Sequence, residues 1–453
     1  MAELAYDVDR LHAIKRREDA EFVLARPVSR TLWERAQPVM PNGVPMSWLR
    51  TSYDHPPLFV AEGVGARFRD VDGNEYSDFN IADMSMFGGY APPPVVEAVS
   101  RRIAQGSQFL LPNEDGVWVA EELGRRYGLP KWQFTLSATH ANTEAIRVAR
   151  VLTGRDTVLM FDGKYHGHFD EALIELDDGG APVAEEAGLP EGATSRTRIV
   201  GFNDAGAIRV ALETEDVAIV LTEPVLTNNI GLLLPQPGFH ETLRRLTRET
   251  GTVLAYDETH TQVVGAGGLT RAWGLEPDVI TIGKSIASGV PLGAYGMTDD
   301  VARVMERPGG RDDEKAPVAT GGTLFGNPLS MAAARATMAE VLTDDAYEHT
   351  QKLGTRLADG LAAIVDAAGL PWTTHRFFPR SGITFAPSMP RDAREARASL
   401  DVPLRRAMRV YFANRGVWDA IVGAGPTCSV PADEDDVDRY VAVFGEFVAE
   451  LTA

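Results

Sequence analysis

Lys284 stands directly after an apolar run and among glycines, in the stretch "PDVITIGKSIASGVPLGAYG" of residues 277–296. The run 279–282 predicts a buried strand, and burying a strongly hydrated ammonium group at the end of a core strand is costly. Two kinds of chemistry would justify that position. Lys284 could bind a phosphate group, or its pKa could be lowered so that it attacks a carbonyl carbon.

A nucleotide-binding phosphate loop is the weaker of these two interpretations. The "GKS" at 283–285 ends like a Walker A loop, but that loop needs a glycine five positions before Gly283, and position 278 is an aspartate. The intervening residues form an apolar run, which leaves no flexible loop around a phosphate. The Walker B-like stretch "VLAYDE" at 253–258 also precedes the lysine instead of following it.

A lysine that forms a Schiff base with pyridoxal phosphate needs three kinds of partner. A carboxylate must keep the pyridine nitrogen protonated, an aromatic or apolar face must contact the ring, and a helix N-terminus must bind the phosphate. Asp257 ends an apolar run, Tyr165 follows another, and the small, hydroxyl-bearing turn at 137–139 opens a helical stretch. The sequence therefore supplies a candidate for each partner.

The elements that must position these residues alternate along the middle of the chain. Helical stretches alternate with short apolar runs at 157–161, 217–222, 252–257 and 279–283. Such alternation predicts an α/β fold whose mostly parallel sheet is covered on both faces. Ligands bind at the carboxyl ends of the strands in such sheets, and each candidate residue follows a predicted strand.

The flanking segments differ in character. Residues 5–40 are helical in pattern, and 56–80 alternate apolar and polar residues around Asp72-Gly73, which is typical of a small antiparallel meander. From 327 the chain is helical and then mixed. We therefore predict three segments, with 81–326 as a large domain and with 1–80 and 327–453 contributing to a smaller α+β domain.

Composition excludes several classes of function. The 453 residues include 44 lysines and arginines against 64 acidic residues, a net charge of −20, which disfavours binding to nucleic acid or to an anionic membrane. Cys428 is the only cysteine, so no internal disulfide can form, as is usual in a reducing cytoplasm. The N-terminal stretch lacks an apolar secretory core, and no run of 18 apolar residues occurs. We expect a cytoplasmic enzyme.

Seven motifs, in order, carry a resemblance to a known family. They are "ARFRDVDGNEYSDF", "KYHGH", "LTEPV", "LPQPGF", "YDETHT", "DVITIGKSIASGVPLGAYG" and "GGTLFGNPLSMAA". From about residue 35 to 345 the chain resembles the class III, fold-type I pyridoxal-phosphate aminotransferases, in particular the glutamate-1-semialdehyde aminomutase branch. The resemblance implies the fold-type I architecture and pyridoxal 5′-phosphate as the cofactor.

The resemblance also implies a role for each matching position. Lys284 would be the Schiff-base lysine and the base that moves the proton, and Asp257 would pair with the pyridine nitrogen. Cofactor-binding roles fall on Tyr165 and Thr259 at the two ring faces, on Ser137, Ala138 and Thr139 at the phosphate, and on Glu223, whose exact role is open. Thr323 would reach the phosphate of a neighbouring subunit, which implies a homodimer with shared active sites. Two departures alter the phosphate turn, because Ala138 and His140 replace the glycine and glutamate usual in this family.

Three histidines raise the question of a metal site. His166, His168 and His260 lie near the predicted strand ends, but they lack a closed set of ligands. Buried histidines hydrogen-bonded to neighbouring groups are the better interpretation. We therefore predict no metal.

The substrate is less sharply indicated than the cofactor. The aminomutases bind the substrate carboxylate through an arginine in a "GGVNSPVR"-like segment, whereas this chain has "NGVPMSWLR" at 42–50, with Trp48 and with an arginine displaced to Arg50. Met84 and Phe87 stand where the family lines its substrate pocket. These residues predict an aminotransferase acting on an amine or β-amino acid with an apolar or aromatic side, and a keto acid or ketone as acceptor.

Two other functions stay open. An aminomutase or an amino-acid racemase would use the same cofactor, because the protein decides which bond breaks. A non-enzymatic binding protein that kept the fold is disfavoured by the presence of both Lys284 and Asp257.

Overall fold

The computed structural model describes residues 6–51, 53–177, 179–306, 317–420 and 424–453. The helices in these ranges are α1 Val8–Leu24, α2 Pro27–Ala36, α3 Trp48–Thr51, α4 Pro93–Gln105, α5 Glu114–Tyr127, α6 Ala138–Thr153, α7 Ala205–Leu212, α8 Phe239–Thr250, α9 Gly268–Ala272, α10 Asp299–Ala302, α11 Pro328–Ala336, α12 Asp344–Ala367, α13 Ala393–Ala398, α14 Val402–Ala413 and α15 Glu434–Thr452. The strands are β1 Val60–Val64, β2 Arg67–Asp70, β3 Glu75–Asp78, β4 Lys131–Thr135, β5 Thr157–Phe161, β6 Ile174–Leu176, β7 Pro182–Ala184, β8 Thr197–Val200, β9 Val217–Thr222, β10 Val253–Asp257, β11 Val279–Ile282, β12 Gly293–Met297, β13 Thr373–His375, β14 Gly382–Thr384 and β15 Val417–Trp418. None of the helices in the described ranges has the length and apolar character needed to cross a bilayer.

A seven-stranded sheet has the strand order β4-β12-β11-β10-β9-β5-β8. Neighbours from β11 to β8 pair in parallel, whereas β12 runs antiparallel to both β11 and β4. Strands β5, β9, β10 and β11 are buried along their whole length. Continuous apolar strands are expected where both faces of a parallel sheet are covered. The predicted α/β fold with a mostly parallel sheet is confirmed.

The register of this sheet brings the predicted site residues into one row. Asp257 on β10 pairs with Thr281 on β11. Tyr256 pairs with Thr222 on β9, so Glu223, the next residue along, stands beside Asp257. The carboxyl ends of three adjacent strands therefore present Glu223, Asp257 and Thr281 side by side.

Two compact units divide the chain. The large unit contains residues 93–347 and 390–397, and the small unit contains 1–92, 348–389 and 398–453. We predicted boundaries after residues 80 and 326 instead, and those domain limits stay predictions.

The short segment 390–397 is grouped with the large unit by its own contacts. Ala393 and Ala396 are buried in a cluster that includes Phe239. The Arg397 guanidinium donates to the Asp162 carboxylate, with an Nη1 to Oδ2 distance of 2.9 Å.

The small unit draws its elements from both ends of the chain. Strands β1, β2 and β3 form the predicted antiparallel meander, and β15 adds to β3 in parallel, with Val417 opposite Ser77. Its core contains Leu11 on α1, Phe412 on α14 and Phe444 on α15, all at most 2% exposed. The helices and the short strands together give the predicted α+β character.

Candidate active site

Lys284 follows β11 and begins a short 3-10 turn over 284–287. Its backbone φ is +53°, in the left-handed region, which costs a residue with a side chain about 1–2 kcal/mol. Surrounding contacts hold this turn, since Gln262 Nε2 donates to the Gly283 carbonyl at 2.9 Å. A Cβ atom on Gly283 would lie 2.9 Å from the backbone nitrogen of Ala138, so only glycine lets these two segments approach so closely. Such retained strain is typical of functional positions.

Asp257 is held by hydrogen bonds on both carboxylate oxygens. Oδ2 accepts from Asn142 Nδ2 and from His166 Nδ1, both at 2.9 Å, and Oδ1 accepts from the Thr259 backbone N–H at 3.0 Å. Asn142 is itself fixed, because its Oδ1 accepts from the Thr281 hydroxyl. Burial would raise the pKa of Asp257, but the hydrogen bonds from His166 and Asn142 outweigh it and lower that pKa. The carboxylate is therefore kept ionised and fixed, as a cationic ring nitrogen requires.

The turn at 137–139 lies at the N-terminus of α6. Ser137 is the N-cap of this helix of 16 residues, and its Oγ accepts from the His140 backbone N–H. A Cβ atom on Gly293 would lie 2.3 Å from both the carbonyl carbon and oxygen of Ser137, so β12 passes close behind the turn. The first N–H groups of a helix, together with its dipole, favour a bound phosphate. Ala138 and Thr139 provide the next two residues of this candidate phosphate site.

The loop after β5 carries two of the predicted residues. It presents Tyr165, whose ring centroid lies 6.3 Å from that of His260, and His166, which contacts Asp257. Gly167 lets the loop pack on the phosphate turn, because a Cβ atom there would lie 2.2 Å from Thr139 Oγ1. The structure thus links the loop to both the carboxylate and the phosphate turn.

Glu223 and His260 form a second buried pair. Glu223 Oε2 lies 3.2 Å from His260 Nδ1 and accepts from Thr227 Oγ1 at 2.7 Å. The other ring nitrogen, Nε2, lies 3.1 Å from Asn228 Nδ2. Of the three histidines considered as possible metal ligands, His166 and His260 each hydrogen-bond a carboxylate. The backbone N–H of His168 donates to Thr139 Oγ1 at 3.3 Å.

Thr323 is the last of the predicted cofactor-binding residues along the chain. It is exposed within the large unit, and its carbonyl accepts from Gln108 Nε2. Its predicted contact with the phosphate of a neighbouring subunit stays a prediction.

The predicted substrate residues lie in the small unit. Trp48 starts α3 and is 40% exposed, whereas Met84 and Phe87 are buried. Met84 ends a run of four consecutive non-glycine residues with positive φ, 81–84, which is a rare left-handed turn. The Asp78 carboxylate holds the entry to this turn by accepting from the N–H groups of Asn80 and Ile81. The contact of Trp48, Met84 and Phe87 with substrate stays a prediction.

Three residues of the site were not predicted from the sequence. Asn142 lies one helical turn after the phosphate turn, and Thr227 and Asn228 follow Glu223 in "LTEPVLTNN". A polar residue on the sheet-facing side of a helix, such as Asn142, is the one signal that could have pointed to a buried contact.

Buried polar atoms give a test of whether the site fits a cofactor. Thr259 Oγ1 and His166 Nε2 are buried and have no hydrogen-bond partner among the described residues. Such atoms need a partner, and both residues hydrogen-bond Asp257, His166 through Nδ1 and Thr259 through its backbone N–H. The ionised carboxylate of Asp257 fits the ring nitrogen of pyridoxal phosphate, and Lys284 fits its aldehyde. The N-terminus of α6 fits its phosphate.

Comparison with known proteins identifies the class. Residues 49–373 match the family model "Aminotransferase class-III", and the chain belongs to this family. The resemblance, the fold-type I architecture and pyridoxal phosphate as the cofactor are thereby confirmed.

Individual relatives cover nearly the whole chain. Glutamate-1-semialdehyde 2,1-aminomutase 2 of Geobacillus kaustophilus is 34% identical over 435 residues, which are 93% of this chain and 98% of the relative. The crystal structure of a glutamate-1-semialdehyde aminomutase variant from Pseudomonas aeruginosa PAO1, in complex with PMP, has a TM-score of 0.94 at 36% identity and covers 99% of this chain and 100% of that one. An omega-transaminase from Sphaerobacter thermophilus has a TM-score of 0.85 at 30% identity, with coverage of 94% and 98%.

Proposed function

We propose that this protein is a pyridoxal-phosphate enzyme that moves an amino group within one substrate, in the manner of glutamate-1-semialdehyde 2,1-aminomutase. One observation carries this proposal, namely the end-to-end likeness to the aminomutase of Pseudomonas aeruginosa at a TM-score of 0.94. This choice favours the alternative named from the sequence over the aminotransferase of apolar amines.

The described residues support the chemistry that such a reaction needs. The cofactor, when bound, supplies an electron sink that makes a C–H bond next to the amino group acidic. Asp257 would keep the ring nitrogen cationic, and the N-terminus of α6 would bind the phosphate. Lys284 would anchor the cofactor covalently and carry a proton between the substrate carbon and the cofactor. Borohydride reduction followed by peptide mass spectrometry should find the cofactor attached to Lys284, and an unmodified Lys284 would contradict this assignment.

An isomerisation needs no external amino acceptor, whereas an aminotransferase needs a keto acid or a ketone. The experiment therefore leaves the acceptor out. The purified holoenzyme is incubated with glutamate 1-semialdehyde in the absence of any keto acid. Transfer of the amino group from carbon 2 to carbon 1 should yield 5-amino-4-oxopentanoate. Because this product has the same mass as the substrate, it is separated by liquid chromatography and identified against an authentic standard. The Lys284→Ala variant is the control, and absence of product from the native enzyme would refute the proposal.

A second candidate function is the amine or β-amino-acid aminotransferase. The observation in its favour is the position of Arg50, whose Nη1 donates to the Tyr53 carbonyl at 2.7 Å and whose guanidinium lies 5.7 Å from the Trp33 ring centroid. An arginine engaged in this way has fewer donors for a substrate carboxylate. Incubation with 1-phenylethylamine and pyruvate tests this function, because acetophenone and alanine should then form in equal amounts.

The large unit also supports the predicted homodimer. Phe109, Leu110 and Leu111 are 54%, 72% and 68% exposed, and they adjoin an apolar groove of about 750 Å³ lined by Val117 and Phe325 among others. Apolar surface of this kind on one chain marks an interaction site. We infer that a second copy of the chain covers it. Light scattering after size-exclusion chromatography should give a dimer, and Leu110→Glu should weaken it.

Shared active sites can be tested separately from dimerisation. If Thr323 serves the neighbouring subunit, mixing Lys284→Ala with Thr323→Val chains creates one intact site per mixed dimer. Activity should then exceed that of either variant alone. Unchanged activity after verified subunit exchange would refute sharing. The cytoplasmic location stays a prediction.

A further inference from the structure

Two buried histidine–carboxylate pairs lie at the same sheet edge. His166 contacts Asp257 at 2.9 Å, and His260 contacts Glu223 at 3.2 Å. The carboxylates stand beside each other because β9 and β10 pair in register. The first pair has a role in the chemistry above. The second pair, Glu223 with His260, has none yet.

The second pair has a defined direction of hydrogen bonding. Glu223 accepts from the Thr227 hydroxyl at 2.7 Å and from the Thr227 backbone N–H at 3.4 Å, as an ionised carboxylate does. His260 Nδ1 therefore donates to Glu223. Nε2 faces the amide nitrogen of Asn228, which can only donate, so Nε2 is the acceptor. The hydrogen bonds from Asn228 to His260 and from His260 to Glu223 therefore run in the same direction.

This polarity fixes the Asn228 amide. Asn228 Nδ2 donates one of its two hydrogens to His260 Nε2. The orientation of the amide plane is thereby fixed, and with it the directions of the second hydrogen and of Oδ1. Asn228 is only 5% exposed, and His260 is 2% exposed, so neither side chain has room to reorient freely. His260 also stands three residues after Asp257 and beside the Tyr165 ring. The fixed amide is therefore one hydrogen bond away from a histidine that stands close to Asp257 and to the Tyr165 ring.

We propose that His260 is a positioning residue, and that the Glu223–His260 pair holds the Asn228 amide for a hydrogen bond with the bound cofactor. The proposal rests on pyridoxal phosphate occupying this site and is independent of the aminomutase reaction. Histidine suits the task because one ring donates to the carboxylate and accepts from the amide. The carboxamide of glutamine offers the same pair of functions, with Nε2 toward Glu223 and Oε1 toward Asn228.

The test compares two substitutions at His260. His260→Met fills similar space without hydrogen bonds, and His260→Gln keeps their polarity. The dissociation constant of pyridoxal phosphate from the apoprotein is measured by fluorescence titration, and urea unfolding of the apoprotein is measured in parallel. His260→Met should weaken cofactor binding about tenfold, the effect of one lost hydrogen bond, and His260→Gln should stay within about threefold of the native protein.

His240 provides a matched control in the same unit. It is also buried and makes two hydrogen bonds, to the Tyr256 hydroxyl and to the Pro224 carbonyl. His240→Met should change unfolding without changing cofactor affinity. Should His260→Met fail to fold, Asn228→Leu measures the same lost contact. Native cofactor affinity in His260→Met or in Asn228→Leu, or equal losses in His260→Met and His260→Gln, would overturn the proposal.

Discussion

Gly293→Ala is the substitution that most directly tests the close approach of β12 to the phosphate turn. The added Cβ atom would lie 2.3 Å from the carbonyl carbon and oxygen of Ser137 and 2.6 Å from Thr135 Oγ1. That carbonyl accepts from Thr135 Oγ1 at 2.8 Å and from the Ala141 N–H at 3.1 Å. The second of these hydrogen bonds forms the first turn of α6. Because the two nearest of these atoms belong to the backbone of Ser137, a rotamer change cannot relieve the clash. The turn itself must move.

The expected magnitude follows from this geometry. Overpacking a core position costs about 1–3 kcal/mol, and 2 kcal/mol corresponds to a fall in Tm of about 4–8 °C for a unit of this size. Displacement of the N-terminus of α6 should also misalign its N–H groups. Loss of one hydrogen bond to a charged phosphate weakens cofactor binding by at least about tenfold.

The assay measures two quantities on two variants. Thermal unfolding of the apoprotein and titration with pyridoxal phosphate are carried out on Gly293→Ala and on Gly265→Ala. Gly265 has an extended backbone, with φ of 170°, and no heavy atom lies within 4 Å of the position that an added methyl group would take, so alanine fits there. Equal affinity and equal Tm in both variants would refute the reasoning that the turn depends on this contact.

Three further predictions concern single side chains. Thr281→Val removes the donor that fixes Asn142 and so loosens the support of Asp257, which should lower the free energy of unfolding in urea by about 1–2 kcal/mol. Burial raises the pKa of Asp78 to about 6, so between pH 4 and 6 the folded protein holds a proton that the unfolded chain has released. The contribution of Asp78 to the free energy of unfolding should therefore fall by about 3 kcal/mol as pH rises through this window, and the difference between the native protein and Asp78→Asn in urea unfolding should change by that amount. Burial also raises the pKa of the Cys428 thiol, so a thiol reagent should modify it only in denaturant. Reaction in the native protein would contradict that.

Much of the large unit could be predicted because its strands are short apolar runs. The runs 157–161 and 217–222 coincide with β5 and β9. Continuous burial on both faces produces a signal that periodicity and length reveal. The antiparallel direction of β12 and the pairing of β15 with β3 could not be predicted. They depend on contacts between distant parts of the chain, and no local pattern records them.

The residues of the candidate site were predictable where a charged side chain stands at the end of an apolar strand. Lys284 and Asp257 are charged residues at strand ends, an unusual combination that draws attention. Asn142 and Asn228 are common surface residue types, and only the fold shows that their amides are buried beside carboxylates. Glu223 was singled out by its position, but its partner His260 became clear only from the register of the strands.

The pairing of β3 with β15 has a consequence for how the protein is made. Strand β3 ends at Asp78, and its parallel neighbour begins at Val417. At roughly 5–20 residues per second, a ribosome needs on the order of tens of seconds to deliver the second strand after the first. During that interval the edge of the meander that β15 will cover is left open, while the intervening segment of the chain can already collapse. A chaperone that shields nascent β-edges would therefore be expected to raise the yield of this protein.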